Sequence, residues 1–378
     1  MIMTTQINDI LDSLEPGQLN FTQDPNLTTE TLSSLTDDFG ESLPHNLNPE
    51  SKTIVLPIST SPVSDSLILD DDKIHPLGEL VNIHYSIPTV SPQLVQSTAL
   101  MNLNRFRADT RFQGIDGSGY SVVVLDTGID LNHPFFGVDA DNNGVADRIV
   151  YQYDFANLDN NASDYSSHGS NVASIIGSQD STYRGVAPGV NIIALKVFTD
   201  SGSGSFAFLA NALQWVVNNT AAYNIVAVNM SLGNGGNYNT NQGSSISDEL
   251  LALANKGVAV VSAAGNSFAQ YGSAQGVSYP AADINSWAVG AVFDANIGSL
   301  SYSGGATANS SGADVITPFS QRDQNLTTVF APGASIAGAS KDGGVAVYHG
   351  TSQATPHVAG AVALAQQLAV NSLGRKLT

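Results

Sequence analysis

The chain has 378 residues, of which 42% are hydrophobic, so it is long enough for one large domain plus a smaller one, or for two ordinary domains. Its formal charge of −20, from 33 Asp and Glu against 13 Lys and Arg, argues against nucleic-acid binding, because phosphates attract a basic surface. The absence of Cys excludes disulfides, thiolate metal sites and a cysteine nucleophile. No apolar run reaches the roughly 18 residues that a membrane helix needs, so a membrane is not an expected partner either.

Residues 1–91 are predicted to form an N-terminal leader that is largely disordered. Residues 1–50 are polar and rich in Asn, Asp, Thr, Ser and Pro, and residues 53–90 add only short β-like runs. This leader could be a pro-segment that is removed, as in a zymogen, or an extension that is retained. It lacks the basic stretch and apolar core of a secretory signal peptide.

From about residue 92 onwards, apolar strand patterns alternate with helical patterns. The strand patterns are apolar runs that end in polar or Gly-rich segments, at residues 121–128, 191–198, 224–233, 257–266 and 286–292. The helical patterns follow His168 and occupy residues 206–219, 246–256 and 355–371. This alternation predicts an α/β fold with a doubly wound, mostly parallel sheet and helices on both faces. Ligands of such sheets bind at the carboxyl ends of the strands.

Four polar residues stand where such a sheet binds its ligands. Asp126 and Asn266 each follow a buried strand pattern, His168 begins a helix, and Ser352 precedes the longest apolar helix. Taken singly, a strand-terminal Asp also occurs in phosphatases and nucleotide-binding proteins, and a Ser or His at a helix start is more often a cap. Together the four supply a nucleophile, a base, an orienting carboxylate and an oxyanion donor, which are the parts of an acyl-transfer site.

Three segments in this order closely resemble the subtilisin-like serine proteases: VVVLDTGID at 122–130, HGSNVAS at 168–174 and GTSQATPHVAGA at 350–361. VNMSLG at 228–233, AAGN at 263–266 and YPAA at 279–282 resemble the same family. The likeness implies a subtilisin-like peptidase domain over residues 92–378. It implies that Ser352 is the nucleophile, His168 the general acid and base, Asp126 the residue that orients His168, and Asn266 an oxyanion donor.

The resemblance also implies where the substrate lies. Two backbone edges would hold it, one formed by Gly202, Ser203 and Gly204, and the other by Ser231, Leu232 and Gly233. One wall of the pocket for the residue before the scissile bond would be formed by Ala263, Ala264 and Gly265, with Ser278 at its base. This pocket would accept large uncharged side chains, and the expected partners are protein or peptide substrates bound as an added β-strand.

The sequence departs from the family pattern in three ways. Ser170 and Asn171 stand where the family usually has Thr and His, and Gln353 stands where it usually has Met. Family members usually continue further beyond the nucleophile helix, whereas this chain ends at Thr378, so we expect a domain shortened at its C-terminus. The alternative to an active serine endopeptidase is therefore a weak or inactive homologue that acts as a calcium-dependent binding module.

An acidic loop between the Asp126 and His168 segments predicts a structural calcium site. The sequence DADNNGVAD follows the D-x-D-x-[DN]-G pattern of calcium loops, and Gly144 permits the tight turn. The predicted ligands are Asp139, Asp141, Asn143, the carbonyl of Val145, and Asp147. Val150 stands where such loops usually have a Glu, so Asp154 or Asp159 would have to complete the shell. The alternative is an Asx-rich turn that binds no ion.

The sequence predicts no partner besides substrate, and we expect a monomer. The lack of a signal peptide favours the cytoplasm, whereas a calcium loop favours the outside of the cell, where calcium is abundant. On balance we expect secretion by a route that does not use a signal peptide, with a cytoplasmic location as the alternative.

Overall fold

The computed structural model describes residues 73–80 and 94–377, so the predicted disorder of residues 1–50 lies outside the described residues. The strands are β1 (Lys73–Pro76), β2 (Glu79–Leu80), β3 (Ser121–Asp126), β4 (Ile149–Asp154), β5 (Asn191–Lys196), β6 (Gly204–Ser205), β7 (Ile225–Met230), β8 (Leu232–Gly233), β9 (Ala259–Ala263), β10 (Trp287–Val292), β11 (Leu300–Ser301), β12 (Thr307–Ala308), β13 (Thr327–Pro332), β14 (Ile336–Ala339) and β15 (Val345–His349). The helices are α1 (Leu94–Leu100), α2 (Leu103–Ala108), α3 (His168–Gly177), α4 (Phe206–Asn219), α5 (Ser247–Asn255) and α6 (Thr351–Leu373).

Seven strands form one sheet in the order β13-β10-β9-β7-β3-β5-β4, and every neighbouring pair is parallel. The predicted α/β class with a parallel sheet is therefore confirmed. Five of the seven strands lie where the apolar runs predict them. The other two, β4 and β13, lie at the edges of the sheet and are only partly buried. Because edge strands are covered less completely, their sequences lack the continuous apolar run that marks a central strand.

Helices cover both faces of this sheet. Neighbouring residues of a strand point to opposite faces, and both sets of side chains are apolar, so each face has to be covered. Val122 and Val124 of β3 pack in the same core as residues of α3 and α6. Val123 and Leu125 pack in a second core with residues of α4 and α5. None of the helices in the described ranges is long and apolar enough to cross a membrane.

Helix α6 begins at Thr351, earlier than the predicted start at residue 355, so Ser352 lies in the first turn rather than before it. The Thr355-Pro356 pair suggests a helix start, because Pro favours the first turn. In the structure, Pro356 lies inside the helix. It has no N–H for the carbonyl of Ser352, and the Ser231 hydroxyl donates to that carbonyl instead, at 2.8 Å. This bond links the start of α6 to Ser231, the residue between β7 and β8.

Residues 73–80 belong to the predicted leader, and yet their strands pair with the domain. β1 lies antiparallel to both β6 and β8, with Lys73 opposite Ser205 and Pro76 opposite Leu232. β2 pairs antiparallel with β15, next to the start of α6. We call residues 73–80 the cleft segment. The strands with which it pairs, β6, β8 and β15, lie around the carboxyl end of the seven-stranded sheet.

Candidate active site

Asp126 and His168 meet at the carboxyl end of the parallel sheet. Asp126 is the last residue of β3, and His168 is the first residue of α3. His168 Nδ1 lies 2.7 Å from Asp126 Oδ1, and both side chains are buried, with 2% and 1% exposed. This contact leaves Nε2 as the ring nitrogen available for proton transfer, and Nε2 has no hydrogen-bond partner among the described residues.

The first turn of α3 is held by a buried carboxylate that the sequence analysis missed. Asp164 Oδ1 accepts from Thr127 Oγ1 at 2.9 Å, and Asp164 Oδ2 accepts from the backbone N–H and hydroxyl of Ser170, at 2.9 and 2.6 Å. Thr127 Oγ1 in turn accepts from the Gly169 N–H at 3.0 Å. These bonds fix the residues on both sides of the His168–Asp126 contact. An acidic residue shortly before a helix start is the sequence signal that could have revealed Asp164.

Tyr348 covers one side of His168. The two rings meet edge to face, with centroids 5.8 Å apart. Burial, with smaller contributions from the charges of Asp164 and Asp126, raises the pKa of Tyr348, so the phenol stays neutral. Its hydroxyl donates to the carbonyl of Ser166 at 3.3 Å.

Ser352 is fully buried in the first turn of α6. Its hydroxyl donates to the backbone carbonyl of Ser231 at 2.9 Å. The Ser352 hydroxyl therefore makes no hydrogen bond to His168, the residue expected to act as its base, in this conformation. His168 Nε2 has no hydrogen-bond partner among the described residues, so the Ser352 hydroxyl has to leave the Ser231 carbonyl before it can donate to His168.

Two donors converge on the carbonyl oxygen of Leu77, a residue of the cleft segment. Asn266 Nδ2 donates to it at 2.6 Å, and the Ser352 backbone N–H donates at 3.3 Å. The amide of Asn266 is oriented by Thr351, whose N–H and hydroxyl donate to Asn266 Oδ1 at 2.9 and 3.0 Å. Since Oδ1 is engaged in this way, Nδ2 points at the Leu77 carbonyl. This is the geometry of an oxyanion site with a peptide carbonyl bound in it.

The predicted substrate edges lie on either side of β1. Ser231 accepts the Leu77 N–H at 3.1 Å through its carbonyl, and Leu232 and Gly233 form the paired strand β8. On the other side β1 pairs with β6, which consists of Gly204, one of the predicted edge residues, and Ser205. Gly202 and Ser203 lie in the turn before it, where Gly202 adopts a φ of 83°.

The Leu77 side chain points towards the residues predicted to form the pocket. A Cβ on Gly233 would lie 2.9 Å from Leu77 Cδ1 and 2.5 Å from Ser278 Oγ, so only glycine leaves room at residue 233. The carbonyl of Ala264 accepts the Ser278 N–H at 2.7 Å. Gly265 has a φ of 111°, and a Cβ on it would lie 3.3 Å from Ser278 Cβ. Ala263 ends β9 beside these residues.

The acidic loop brings three of its predicted ligands together. Carboxylate oxygens of Asp139, Asp141 and Asp147 lie within 4.8 Å of one another. Asn143 Oδ1 accepts the Val145 N–H at 2.8 Å. The turn is made by Gly144, which has a φ of 85°.

Asp154, one of the two residues expected to complete the calcium shell, is engaged elsewhere. Its Oδ2 lies 3.0 Å from the ammonium of Lys196, and both side chains are 1% exposed. Asp159, the other candidate, accepts the Asn161 N–H at 2.9 Å.

Residues 117–376 match the model of the subtilase family, peptidase S8. The chain belongs to the subtilase family. The matched range contains all four residues that the sequence analysis proposes for the chemistry, namely Asp126, His168, Asn266 and Ser352.

Individual relatives agree with this assignment. The chain is 35% identical to subtilisin from Bacillus pumilus over 259 residues, covering 67% of this chain and 78% of that protein. It is 34% identical to subtilisin E from Bacillus subtilis over 259 residues, covering 67% and 56% of the two chains. The crystal structure of a cold adapted subtilisin-like serine proteinase superposes with a TM-score of 0.52 at 33% identity, covering 67% of this chain and 77% of that one. The chain thus spans little more than half the length of several curated relatives that it matches, 56% in the case of subtilisin E.

Proposed function

We propose that this subtilase is a serine endopeptidase that hydrolyses peptide bonds through an acyl-enzyme on Ser352. One observation carries this proposal: the peptide carbonyl of Leu77 is bound by Asn266 and by the Ser352 backbone N–H, beside the buried His168–Asp126 pair. A site that only bound peptides would gain from the flanking β-strands but would not need two donors on one carbonyl oxygen.

The residues can perform the reaction in two stages. Ser352 Oγ attacks the carbonyl carbon while its proton passes to His168 Nε2, and Asp126 stabilises the resulting imidazolium. Asn266 and the Ser352 N–H stabilise the oxyanion, and His168 then gives its proton to the departing amine. Water attacks the ester in the second stage, with His168 again as the base, and releases Ser352.

The test is labelling with a fluorophosphonate probe together with casein digestion, with Ser352→Ala as the control. We expect wild-type protein to be labelled and to digest casein, and the variant to do neither. The competing hypothesis is a weak or inactive homologue that binds peptides. Equal behaviour of the two proteins would support that hypothesis and contradict an acyl-enzyme on Ser352.

We further propose that the acidic loop binds a structural Ca²⁺ ion. The close approach of the Asp139, Asp141 and Asp147 carboxylates supports this, because three like charges repel one another unless a cation lies between them. Asn143 and the carbonyl of Val145 would add neutral oxygens. An ion that binds only the native state stabilises it by about 2.7 kcal/mol at a free concentration of 100 Kd.

Thermal unfolding of the Ser352→Ala chain, with calcium or with a chelator, tests the calcium site without interference from proteolysis. We expect the chelator to lower Tm by several degrees, and Asp141→Asn to reduce that shift. A chelator effect of the same size in both proteins would place the ion elsewhere, and no effect in either would remove the proposal.

We also propose that the protein acts as a monomer outside the cell, on proteins or peptides. The calcium loop supports an extracellular location, because calcium is abundant there. Sedimentation and immunodetection in culture medium and cell extract are the measurements. A stable dimer, or protein confined to the extract, would contradict these two proposals.

A further inference from the structure

We propose that Gln353 holds the water molecule that hydrolyses the acyl-enzyme, with its Oε1 accepting one O–H of that water while His168 Nε2 accepts the other. This inference rests on the proposed endopeptidase function and concerns the second stage of that reaction. It starts from two buried acceptor atoms, His168 Nε2 and Gln353 Oε1, which have no hydrogen-bond partner among the described residues. A buried acceptor without a partner is costly, so two of them at one reaction site indicate a donor that binds there.

The orientation of the Gln353 amide is set by a backbone carbonyl. The carbonyl of Ala346 can only accept, so Asn171 directs its Nδ2 at that oxygen, at 3.1 Å. Asn171 Oδ1 then faces Gln353, whose Nε2 donates to it at 3.3 Å. Both amide side chains are fully buried. Gln353 therefore presents its other amide atom, the acceptor Oε1, to the cleft.

Gln353 Oε1 and His168 Nε2 border the same small space beside the Leu77 carbonyl group. A Cβ on Gly78 would lie 3.2 Å from Oε1 and 2.6 Å from Nε2. A water oxygen near that point therefore reaches both acceptors at ordinary hydrogen-bond lengths of about 2.7–3.2 Å. The same point is 2.6 Å from Cδ2 of His168, so the water oxygen lies slightly further from the ring. The Cα of Gly78 is only two bonds from the Leu77 carbonyl carbon, which places this water beside the carbon that it attacks.

Water is the complement of these two acceptors. His168 Nδ1 lies against the Asp126 carboxylate, so neutral His168 carries its proton there and offers Nε2 as an acceptor. Two acceptors that face one space need a molecule with two donor hydrogens, and water has both. With its hydrogens engaged in this way, the water oxygen keeps its lone pairs for the carbonyl carbon. The space is open to water once the amine product, which occupies the position of Gly78, has left.

The step balances with water as its only co-reactant. The water oxygen bonds to the carbonyl carbon of the ester, and one of its protons passes to His168 Nε2. That proton moves on to Ser352 Oγ as the C–Oγ bond breaks. The second hydrogen, held by Gln353 Oε1, stays on the new carboxyl group until that group ionises. The products are free Ser352 and a peptide that ends in a carboxylate.

Two departures from the family pattern thus have one joint role. Gln353 stands where the family usually has Met, and the thioether sulfur of Met is only a weak acceptor. Asn171, the second departure, fixes the amide of Gln353 in the orientation that a bound water needs. Gln353→Met is therefore an informative substitution, because it removes the acceptor while it keeps a side chain of similar length.

The experiment measures formation and breakdown of the acyl-enzyme separately, with a peptide p-nitrophenyl ester as substrate. All proteins carry Ile74→Asp, because Ile74 is 1% exposed and a carboxylate there should expel the cleft segment. Stopped-flow release of nitrophenolate gives the rate constant of acylation. Decay of the isolated acyl-enzyme, followed by intact mass, gives the rate constant of deacylation. Nitrophenolate carries no hydrogen for Oε1, so acylation by this ester does not use Gln353.

We expect Gln353→Met to slow deacylation by about 10-fold, the effect of one lost hydrogen bond, and to leave acylation within about twofold. Asn171→Ala keeps Gln353 but lets its amide turn, so it should slow deacylation by a smaller factor of about three. The matched control is Gln366→Met, the same substitution at a buried Gln of the same helix that bonds to Leu377 instead. It should leave both rate constants unchanged.

Two results would overturn the role of Gln353. The first is unchanged deacylation in Gln353→Met, and the second is an equal fall in both rate constants, which would indicate a general distortion of the site. Failure of the endopeptidase function gives a different result, because the parent protein would then form no acyl-enzyme on Ser352. A parent that forms and hydrolyses the acyl-enzyme, beside a Gln353→Met variant that does so equally fast, rejects only the water site.

Discussion

The proposed role of Asn266 as an oxyanion donor can be tested by replacing this one residue. Asn266→Ala removes the shorter of the two hydrogen bonds to the bound carbonyl and leaves the Ser352 N–H in place. We expect kcat to fall by about 10²–10³ with little change in KM, which is the loss known for the corresponding Asn of a subtilisin rather than one calculated from these distances.

Steady-state kinetics on a peptide substrate would measure this effect. Asn218→Ala, an exposed Asn on α4, is the matched control and should leave kcat unchanged. A rise in KM at constant kcat in Asn266→Ala would mean that the amide binds the ground state instead of the transition state.

For single residues, the sequence predicted those side chains that lie within a distinctive local sequence segment. Asp126, His168, Asn266 and Ser352 each lie in a recognisable segment, and the structure places all four around the peptide of Leu77 and Gly78. The residues that position them are less visible. Thr351 orients Asn266 across a gap of 85 positions in the chain, and no local pattern reports such a contact.

The start of helix α3 provides a prediction at the level of an element. Asp164 accepts hydrogen bonds with both oxygens from groups at this helix start, and it is 7% exposed. In Asp164→Asn one carboxylate oxygen is replaced by an NH₂ group, which cannot accept a hydrogen bond. The buried N–H and O–H groups that donate to that oxygen then lose their acceptor. We expect the free energy of unfolding to drop by about 1–3 kcal/mol. We also expect kcat to fall, because His168 begins the same helix.

Urea unfolding and kinetics on the same preparations would measure both effects. Asp180→Asn is a suitable control, because Asp180 also accepts two backbone N–H groups, at 2.8 Å each, but in a loop beyond the other end of α3. If Asp164→Asn lost stability and kept its kcat, Asp164 would stabilise the fold without positioning His168.

At the level of elements, burial decided what could be predicted. The central strands β3, β5, β7 and β9 are almost entirely buried, and their apolar runs identified them. The edge strands β4 and β13 are only partly buried and were missed. The start of α6 was misplaced because Pro356 suggests a helix start, whereas the hydroxyl of Ser231 compensates for a Pro inside the helix.

For the whole molecule, buried histidines predict loss of stability in mild acid. Burial lowers the pKa of His357 to about 4, against an ordinary value of about 6.5. The unfolded chain therefore binds the proton first as the pH falls, so the stability that is present above about pH 6.5 is lost progressively towards pH 4. This shift corresponds to about 3 kcal/mol. Burial lowers the pKa of His349 to about 4 in the same way.

Urea unfolding of the Ser352→Ala chain at neutral pH and near pH 5 would measure this dependence. Asp294 acts in the opposite sense, because burial raises its pKa to about 6, so a comparison with a variant is needed to isolate His357. We expect His357→Gln to lower stability at neutral pH and to show a smaller further loss on acidification. Equal losses on acidification in both proteins would contradict the assignment to His357.

The largest gap between sequence and structure is the cleft segment. Strand β1 pairs with residues more than a hundred positions further along the chain, and nothing in KIHP marks it as a strand. Its pairing follows from the two open edges β6 and β8, which can accept any extended peptide. Because such backbone pairing needs no particular side chains, the sequence of the cleft segment does not predict it.

The covalent attachment of the cleft segment has a kinetic consequence. An occupant that belongs to the same chain competes at an effective concentration on the order of millimolar, and dilution does not lower it. Newly folded protein should therefore show a lag before it digests an added substrate. The length of that lag should be the same at every dilution if each molecule releases its own segment, and it should shorten with concentration if one molecule releases another.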